Sequence, residues 1–374
     1  MRFALSAEQR EFGAAVHELL ADADVPAAAR AWAAADHAPG LAIWRSLAKA
    51  GVTALATPES FGGLAAHPVD LAVACEELGH HPVPGPVAES VAAVPQLLAA
   101  LAEPRPGDHA ARAVPAASQE PARQAGEWLA ALASGELIAT LARPPQLPHA
   151  LDADVAGLVL LADSGQSAGP RADGDARPRT GACAVWRAVP GTRLESADRA
   201  RRLFEVGPAE ALADGPAART AVQRAISYGT LASSAQLLGA GRALLETTTR
   251  YARQREQFGR PVGAFQAIKH ALADVLIGLE FARPLLYAAA VALGGRAATT
   301  PRDVSAARVA CADAAQRAAR TALQVHGAIG YTQECDISLW LAKVRALAAT
   351  WGSQAEHRAV VLAALTSDGT GPWS

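Results

Sequence analysis

Tyr251-Ala-Arg-Gln-Arg-Glu-Gln-Phe-Gly-Arg-Pro-Val-Gly-Ala-Phe-Gln-Ala-Ile-Lys-His270 is the stretch on which the reading of this chain turns. It carries an ordered set: Arg255, then Phe258-Gly259, then Phe265-Gln266. Beyond it, Ile268, Leu272, Val275, Leu276 and Leu279 make an apolar stripe at helical spacing. Gly294-Gly295 can end that helix, and Thr300-Pro301 with Asp303 offers a cap, a first-turn proline and a favourable charge for the next. Two further blocks stand downstream, Gln324-Val-His-Gly-Ala-Ile-Gly-Tyr331 and Trp340-Leu-Ala-Lys-Val-Arg-Ala-Leu-Ala-Ala-Thr-Trp-Gly-Ser353. From about Ala217 onward the chain therefore reads as a helical bundle.

Working back toward the N-terminus, the helical period fades between about Gly135 and Pro208. Short apolar pieces at Leu137 to Leu141, Val155 to Leu161, Ala182 to Val189 and Leu203 to Val206, parted by Pro, Gly and Asp clusters, read as strands of a small β domain. Ser164 to Thr180, rich in Gly, Asp, Arg and Pro, reads as a mobile loop. From Ser6 to about Leu101 the pattern is helical again, with Ser6 and Glu8-Gln9 as a start signal and Phe12, Val16 and Leu19-Leu20 at helical spacing. Inside it Thr57-Pro-Glu-Ser-Phe-Gly-Gly63 is a turn, set by Pro58 and the paired glycines. The fold class expected is α+β multidomain: an N-terminal helical domain (1–134), a small middle β domain (135–215) and a C-terminal four-helix bundle (216–374). Gly239-Ala-Gly241 lacks the preceding strand of a phosphate loop, so it predicts close helix packing.

With 374 residues, half of them apolar, the chain can bury a substantial core. Its formal net charge of -2 provides no field for nucleic acid or an anionic membrane. Asp, Arg, Glu or Gly breaks the apolar runs before the ~18 residues of a membrane span, and Met1-Arg-Phe-Ala-Leu-Ser has no apolar signal core, so the expected location is cytoplasmic. Cys75, Cys183, Cys311 and Cys335 lack metal-ligand spacing and read as reduced, structural thiols. His80-His81 reads as a surface doublet, because adjacent helical positions diverge, and no metal is expected.

Taken together, the Arg255 to Gln266 set, the Gln324 to Tyr331 block and the Pro-Glu-Ser-Phe-Gly-Gly turn, with Trp44 and Gly51 before it and Glu76-Glu77-Leu-Gly79 after it, resemble the FAD-dependent acyl-CoA dehydrogenase family. The resemblance covers the whole length and is strongest in the last third. It implies FAD as cofactor, an acyl-CoA substrate, electron-transfer flavoprotein as redox partner, and cofactor sites completed by a neighbouring subunit. Arg255, Phe258 and Gln324 would then contact the FAD diphosphate and adenine of that neighbour, with Gln257 and Gln266 as secondary polar contacts. The physics suits the assignment: a guanidinium binds a diphosphate through paired, charge-assisted hydrogen bonds, and Gly327 with the small Ala328 lets backbone N–H groups approach phosphate oxygens. Taken singly, Arg255 also reads as a solvated helix-end charge and Gly327 as a helix C-cap.

The chain departs from the family where chemistry is concerned. Removing a proton alpha to a thioester needs a positioned base. The family's usual glutamate position holds Trp351 here, and its alternative position holds Gly229, so no catalytic residue is assigned. The family's hydroxyl-bearing flavin segments are missing too: Trp186 is followed by Arg187-Ala188, and Ala139-Thr-Leu-Ala-Arg-Pro-Pro145 offers only Thr140. Glu246, Glu256, Asp274 and Glu356 read as solvated helical charges. Three functions follow. The first is the degenerate, non-base-bearing partner of a homologous subunit in a heteromeric acyl-CoA dehydrogenase, like the short subunits of actinobacterial steroid degradation. The second is a self-sufficient homo-oligomeric dehydrogenase with an unusual base, such as Glu246 or Glu356. The third is an inert scaffold of the same fold.

Overall fold

The computed structural model describes residues 4–103, 120–163, 183–332 and 334–367, and the stretch read as a mobile loop, Ser164 to Thr180, lies outside them. Ser6 opens the first helix with a reciprocal cap: its Oγ accepts the Gln9 N–H at 3.1 Å, and its own N–H donates to Gln9 Oε1 at 3.0 Å. Among the described residues six helices stand before the sheet, α1 (Ala7–Asp22), α2 (Val25–Ala33), α3 (Ala38–Lys49), α4 (Pro68–His80), α5 (Val94–Ala102) and α6 (Glu120–Ser134). A π-helical turn, Glu89–Ala93, leads into α5. In the turn before α4 the two glycines have different duties. Gly62 takes a φ of 77°, whereas a Cβ on Gly63 would stand 2.1 Å from the Thr57 carbonyl oxygen.

Five strands make the middle sheet: β1 (Ala139–Ala142), β2 (Ala150–Leu151), β3 (Leu158–Asp163), β4 (Ala184–Leu194) and β5 (Leu203–Asp214), in the order β1-β3-β4-β5-β2. The β1–β3 pair is parallel and the other pairs are antiparallel. Ala142, Val159, Ala188 and Phe204 form a small core of the sheet's own. Its other contacts merge into the helical core, and Asp152 bolts it to α2 by accepting from Trp32 Nε1 at 2.9 Å and Arg202 Nε at 3.1 Å.

The chain then returns to helices: α7 (Gly215–Gln254), the hairpin strands β6 (Glu256–Gln257) and β7 (Arg260–Pro261), α8 (Gln266–Gly294), α9 (Thr300–His326), α10 (Ile337–Ala348) and α11 (Gln354–Ser367). The expected stripe on α8 holds at the buried Val275 and Leu279, but Leu276 faces outward at 49% exposure beside Ile277 and Phe281. Thr300 does not cap α9. Its hydroxyl donates to the carbonyls of Ala292 at 3.0 Å and Ala297 at 2.7 Å, tying the start of α9 to the end of α8. By length and composition α8 is apolar enough to cross a membrane, but Asp274, Glu280 and Arg283 interrupt it, as the sequence reading has it, and its inner face packs in the bundle.

α7 crosses α4 with almost no spacing. A Cβ on Gly239 would stand 1.8 Å from the Glu76 carbonyl oxygen, and one on Gly79 would stand 2.1 Å from that of Gln236, so the Gly239-Ala-Gly241 segment serves helix packing as expected. Arg242, one residue past that segment, pairs with Glu76 at 2.8 Å and Glu77 at 2.6 Å. The four cysteines are free, with Cys75, Cys183 and Cys311 buried.

Candidate functional site

The loop between α10 and α11 carries Trp351, and the fold holds it from several sides. α10 is docked on the end of α4 by Trp340 Nε1, which donates to the His80 carbonyl at 2.9 Å, and by the buried Lys343, whose Nζ donates to the Val83 carbonyl at 2.6 Å. Arg308, fully buried on α9, donates to the carbonyls of Leu347 and Thr350, each at 2.6 Å, and to Ser233 Oγ at 3.1 Å, satisfying orphan groups at the end of α10. His357 on α11 donates from Nε2 to the Trp351 carbonyl at 2.8 Å. So braced, Trp351 keeps a φ of 59°, a left-handed conformation that a bulky side chain adopts only under constraint.

The indole lies directly over Gly229 of α7. A Cβ at Gly229 would stand 2.2 Å from Trp351 Cη2. The two positions that the family resemblance marks for a glutamate are thus one site in space, filled by a ring that can remove no proton. Beside it is a cavity of about 240 Å³ whose lining includes Arg143, Ser227, Thr230, Ser305, Trp351 and Glu356. That is below the roughly 300–1,000 Å³ of common ligand sites. Its wall is mostly apolar, yet three polar atoms of lining residues, Thr230 Oγ1, Arg143 Nε and Trp351 Nε1, are buried without hydrogen-bond partners among the described residues.

Neither carboxylate considered from sequence as an unusual base is tuned for that work. Glu356 accepts the Ser353 N–H at 2.7 Å as a helix cap and Gln146 Nε2 at 3.1 Å, and these bonds hold its pKa below the usual range. Glu246 is lowered chiefly by its bond to His80 at 3.0 Å. The base of a general-acid/base step is commonly tuned upward instead. Glu89, which sequence reasoning passed over, is so tuned. Burial pushes its pKa to about 6, opposed mainly by Arg201. It sits on the π-helical turn and is not among the residues lining the cavity.

That shift has a stability consequence. An acid whose folded pKa is raised contributes fully below its unfolded value of 4.5; the contribution falls as pH rises through about 6 and the loss then levels off. Glu89→Gln is therefore expected to stabilise the chain at pH 7 by on the order of 2 kcal/mol, and to flatten the decline between those pH values. Thermal melts of both proteins across that range check it, and a Glu89→Gln protein no more stable at pH 7 would contradict it.

At the far end of α7, the residues with expected flavin contacts gather on one exposed surface. Arg255 caps α7 through its backbone N–H, and its guanidinium is solvent-exposed with no ion pair among the described residues. β6 and β7 are joined by Phe258-Gly259, with φ values of 53° and 76°, the positive pair that a two-residue hairpin turn needs. Phe258 is 90% exposed. Gln257 and Gln266 are exposed nearby in sequence, and Gln324, Gly327 and Ala328 are exposed at the end of α9. Tyr251 stacks on His326 with centroids 4.1 Å apart, so the two sequence blocks meet. Gly327 ends α9 at φ 63° and ψ -141°, close to a region reserved for glycine, and a Cβ there would meet nothing within 4 Å.

Residues 219–366 match the acyl-CoA dehydrogenase C-terminal domain, and residues 6–103 match the N-terminal domain of the same family. The acyl-CoA dehydrogenase IpdE2 of Mycobacterium tuberculosis is 31% identical over 326 residues, covering 87% of each chain. In fold, butyryl-CoA dehydrogenase from Megasphaera elsdenii has a TM-score of 0.74 at 18% identity, covering 98% of this chain and all of its own. The ChsE4-ChsE5 complex from Mycobacterium tuberculosis has a TM-score of 0.73 at 21% identity, covering 98% of this chain and 99% of the other. The chain belongs to the acyl-CoA dehydrogenase family, whose members are FAD flavoproteins.

The two ends of that cofactor find different receptions. An exposed guanidinium without an ion pair, an exposed aromatic turn and an unobstructed glycine suit a diphosphate and adenine. For the isoalloxazine end the sequence offers a single hydroxyl, and it is already engaged within the sheet. Thr140, the hydroxyl that the sequence offers there, is buried and accepts the Leu151 N–H at 3.0 Å inside the sheet, while Arg187 leans away to Glu210 at 3.6 Å.

Proposed function

We propose that this chain is the non-base-bearing subunit of a heteromeric acyl-CoA dehydrogenase, giving its C-terminal surface to an FAD held mainly by a homologous, catalytically complete partner. The observation that carries the reading is the Trp351 indole seated over Gly229, which leaves no acid at either position and a small cavity beside it. Arg255, Phe258 and Gln324 would grip the diphosphate and adenine end, with Gln257, Gln266, Gly327 and Ala328 as flanking contacts. FAD, when bound, supplies the hydride acceptor for dehydrogenation of an acyl-CoA thioester. The outward Leu276, Ile277 and Phe281 of α8, with Phe258, offer apolar area for that partner. ChsE4-ChsE5, a neighbour in fold, is itself a complex of two differently named chains.

Glu89 favours a second reading, in which the chain works alone with a base that reaches substrate once Trp351 moves. The cavity residues argue against it, because Glu89 is not among them. Visible absorption separates the readings. Expressed alone the chain is expected to be colourless, and co-expressed with a neighbouring dehydrogenase gene it should yield a yellow mixed complex that reduces an artificial acceptor with acyl-CoA. A yellow, active chain by itself would transfer the weight to Glu89. A colourless mixture with no thermal response to FAD would leave a scaffold.

A further inference from the structure

Three histidines and a glutamate converge where α1 passes the C-terminal end of α4, away from the flavin surface and from the cavity beside Trp351. His17 belongs to α1, Glu77 and His80 to α4, and His81 follows as its C-terminal cap. The doublet that reads as a surface feature in sequence is half-buried, because α1 returns His17 to it and Glu77 lies one helical turn earlier. His17 Nδ1 is 2.9 Å from Glu77 Oε2 and 3.2 Å from His81 Nε2. The three imidazole rings stand 4.7 to 4.9 Å apart, centroid to centroid. One potential ligand atom from each of the four residues lies within 4.8 Å of all the others.

Hydrogen bonding alone serves this arrangement poorly. A neutral imidazole nitrogen either donates or accepts, so a single proton on His17 Nδ1 would have to serve both Glu77 and His81. His80 is bonded through Nε2 to Glu246 at 3.0 Å, while its Nδ1 is buried with no hydrogen-bond partner among the described residues. Lone pairs are in excess, which a cation would satisfy. Ligands 2.0–2.1 Å from a tetrahedral zinc ion are about 3.3 Å from one another, close to the two separations at His17.

The surroundings have the features of a ligand shell. The Glu246–His80 bond is the carboxylate–imidazole contact that orients metal-bound histidines. Arg242 grips Glu77 through both oxygens, at 2.7 and 2.6 Å, and fixes Oε2 toward His17. Three carboxylates, Glu76, Glu77 and Glu246, are balanced by only two guanidiniums, Arg242 and Arg283, so the site favours added positive charge. A cavity of about 530 Å³, lined in part by Gln9, Gly13, His17, Glu77 and Arg242, gives an ion a way in. We propose that His17, Glu77, His80 and His81 form a divalent-cation site, with zinc the ion best suited to three imidazoles and one carboxylate. Four protein ligands close the coordination sphere, so the ion clamps α1 to α4 and activates no water.

The test uses the full chain without a histidine tag, stripped with chelator, reloaded with cobalt(II) and gel-filtered. One retained ion per chain with the strong visible bands of tetrahedral cobalt is expected, bleached by zinc, together with a zinc-dependent rise in melting temperature. His17→Ala, at a side chain 41% exposed, should abolish both signals while keeping the helical circular dichroism. Should that variant fail to fold, His81→Gln takes its place in the same titration. Wild-type chain that retains no cobalt, or a variant that binds it with an unchanged spectrum, overturns the proposal.

Discussion

Replacing Arg255 by glutamate is expected to strip flavin from the proposed two-chain complex. A charge-assisted hydrogen bond to a phosphate contributes about 1.5–3 kcal/mol, and reversing the charge adds repulsion to that loss, so FAD retention should weaken on the order of 100-fold. The fold should be indifferent, because the guanidinium is exposed and pairs with no acid among the described residues. Arg255→Lys should restore part of the binding, since an ammonium keeps the charge but not the planar fork. Flavin absorbance per complex after gel filtration measures both. Wild-type flavin content in Arg255→Glu would mean that this surface does not face the diphosphate.

The second large effect concerns stability. Gly239→Val puts a branched side chain where even a Cβ would lie 1.8 Å from the Glu76 carbonyl oxygen, a backbone atom that no rotamer change can move. The cost expected is at least ~4 kcal/mol, a large share of the 5–15 kcal/mol that holds a domain folded. Gly241→Ala is the useful contrast. Its Cβ would meet Leu279 Cδ2 at 2.7 Å, the end of a flexible side chain, and overpacking of that kind costs about 1–3 kcal/mol. Circular dichroism melts should rank the two, and equal melting temperatures would mean that α4 and α7 can part freely.

Both predictions rest on features legible in sequence to different degrees. The buried cores of β1, β3, β4 and β5 coincide with the apolar runs at Leu137, Val155, Ala182 and Leu203, because burial is what an apolar run reports. β4 and β5 continue past those runs through exposed residues, Pro190 to Arg193 on one strand, paired by backbone bonds that leave no mark on side-chain pattern. β2 is illegible for a different reason: Ala150 and Leu151 are both buried, but two residues are too short to make an apolar run. Arg255 and Phe258 stand out as candidates because they lie close together along the chain. Trp351 and Gly229 are 122 positions apart, and the sequence shows that neither is an acid but carries no sign that they touch. Nothing in the sequence around Glu89 separates it from other acids, and only its burial sets it apart.

The ring resting on Gly229 makes the absence of an acid hard to reverse. A glutamate introduced at 229 would collide with the indole, and one introduced at 351 would leave a hollow and bring a second carboxylate toward Glu89, where two like charges cannot both be sustained without water. Each single step toward a working base passes through a less stable protein. On the proposed reading, a return to self-sufficiency would have to change both positions together, and retaining a companion subunit is the shorter route.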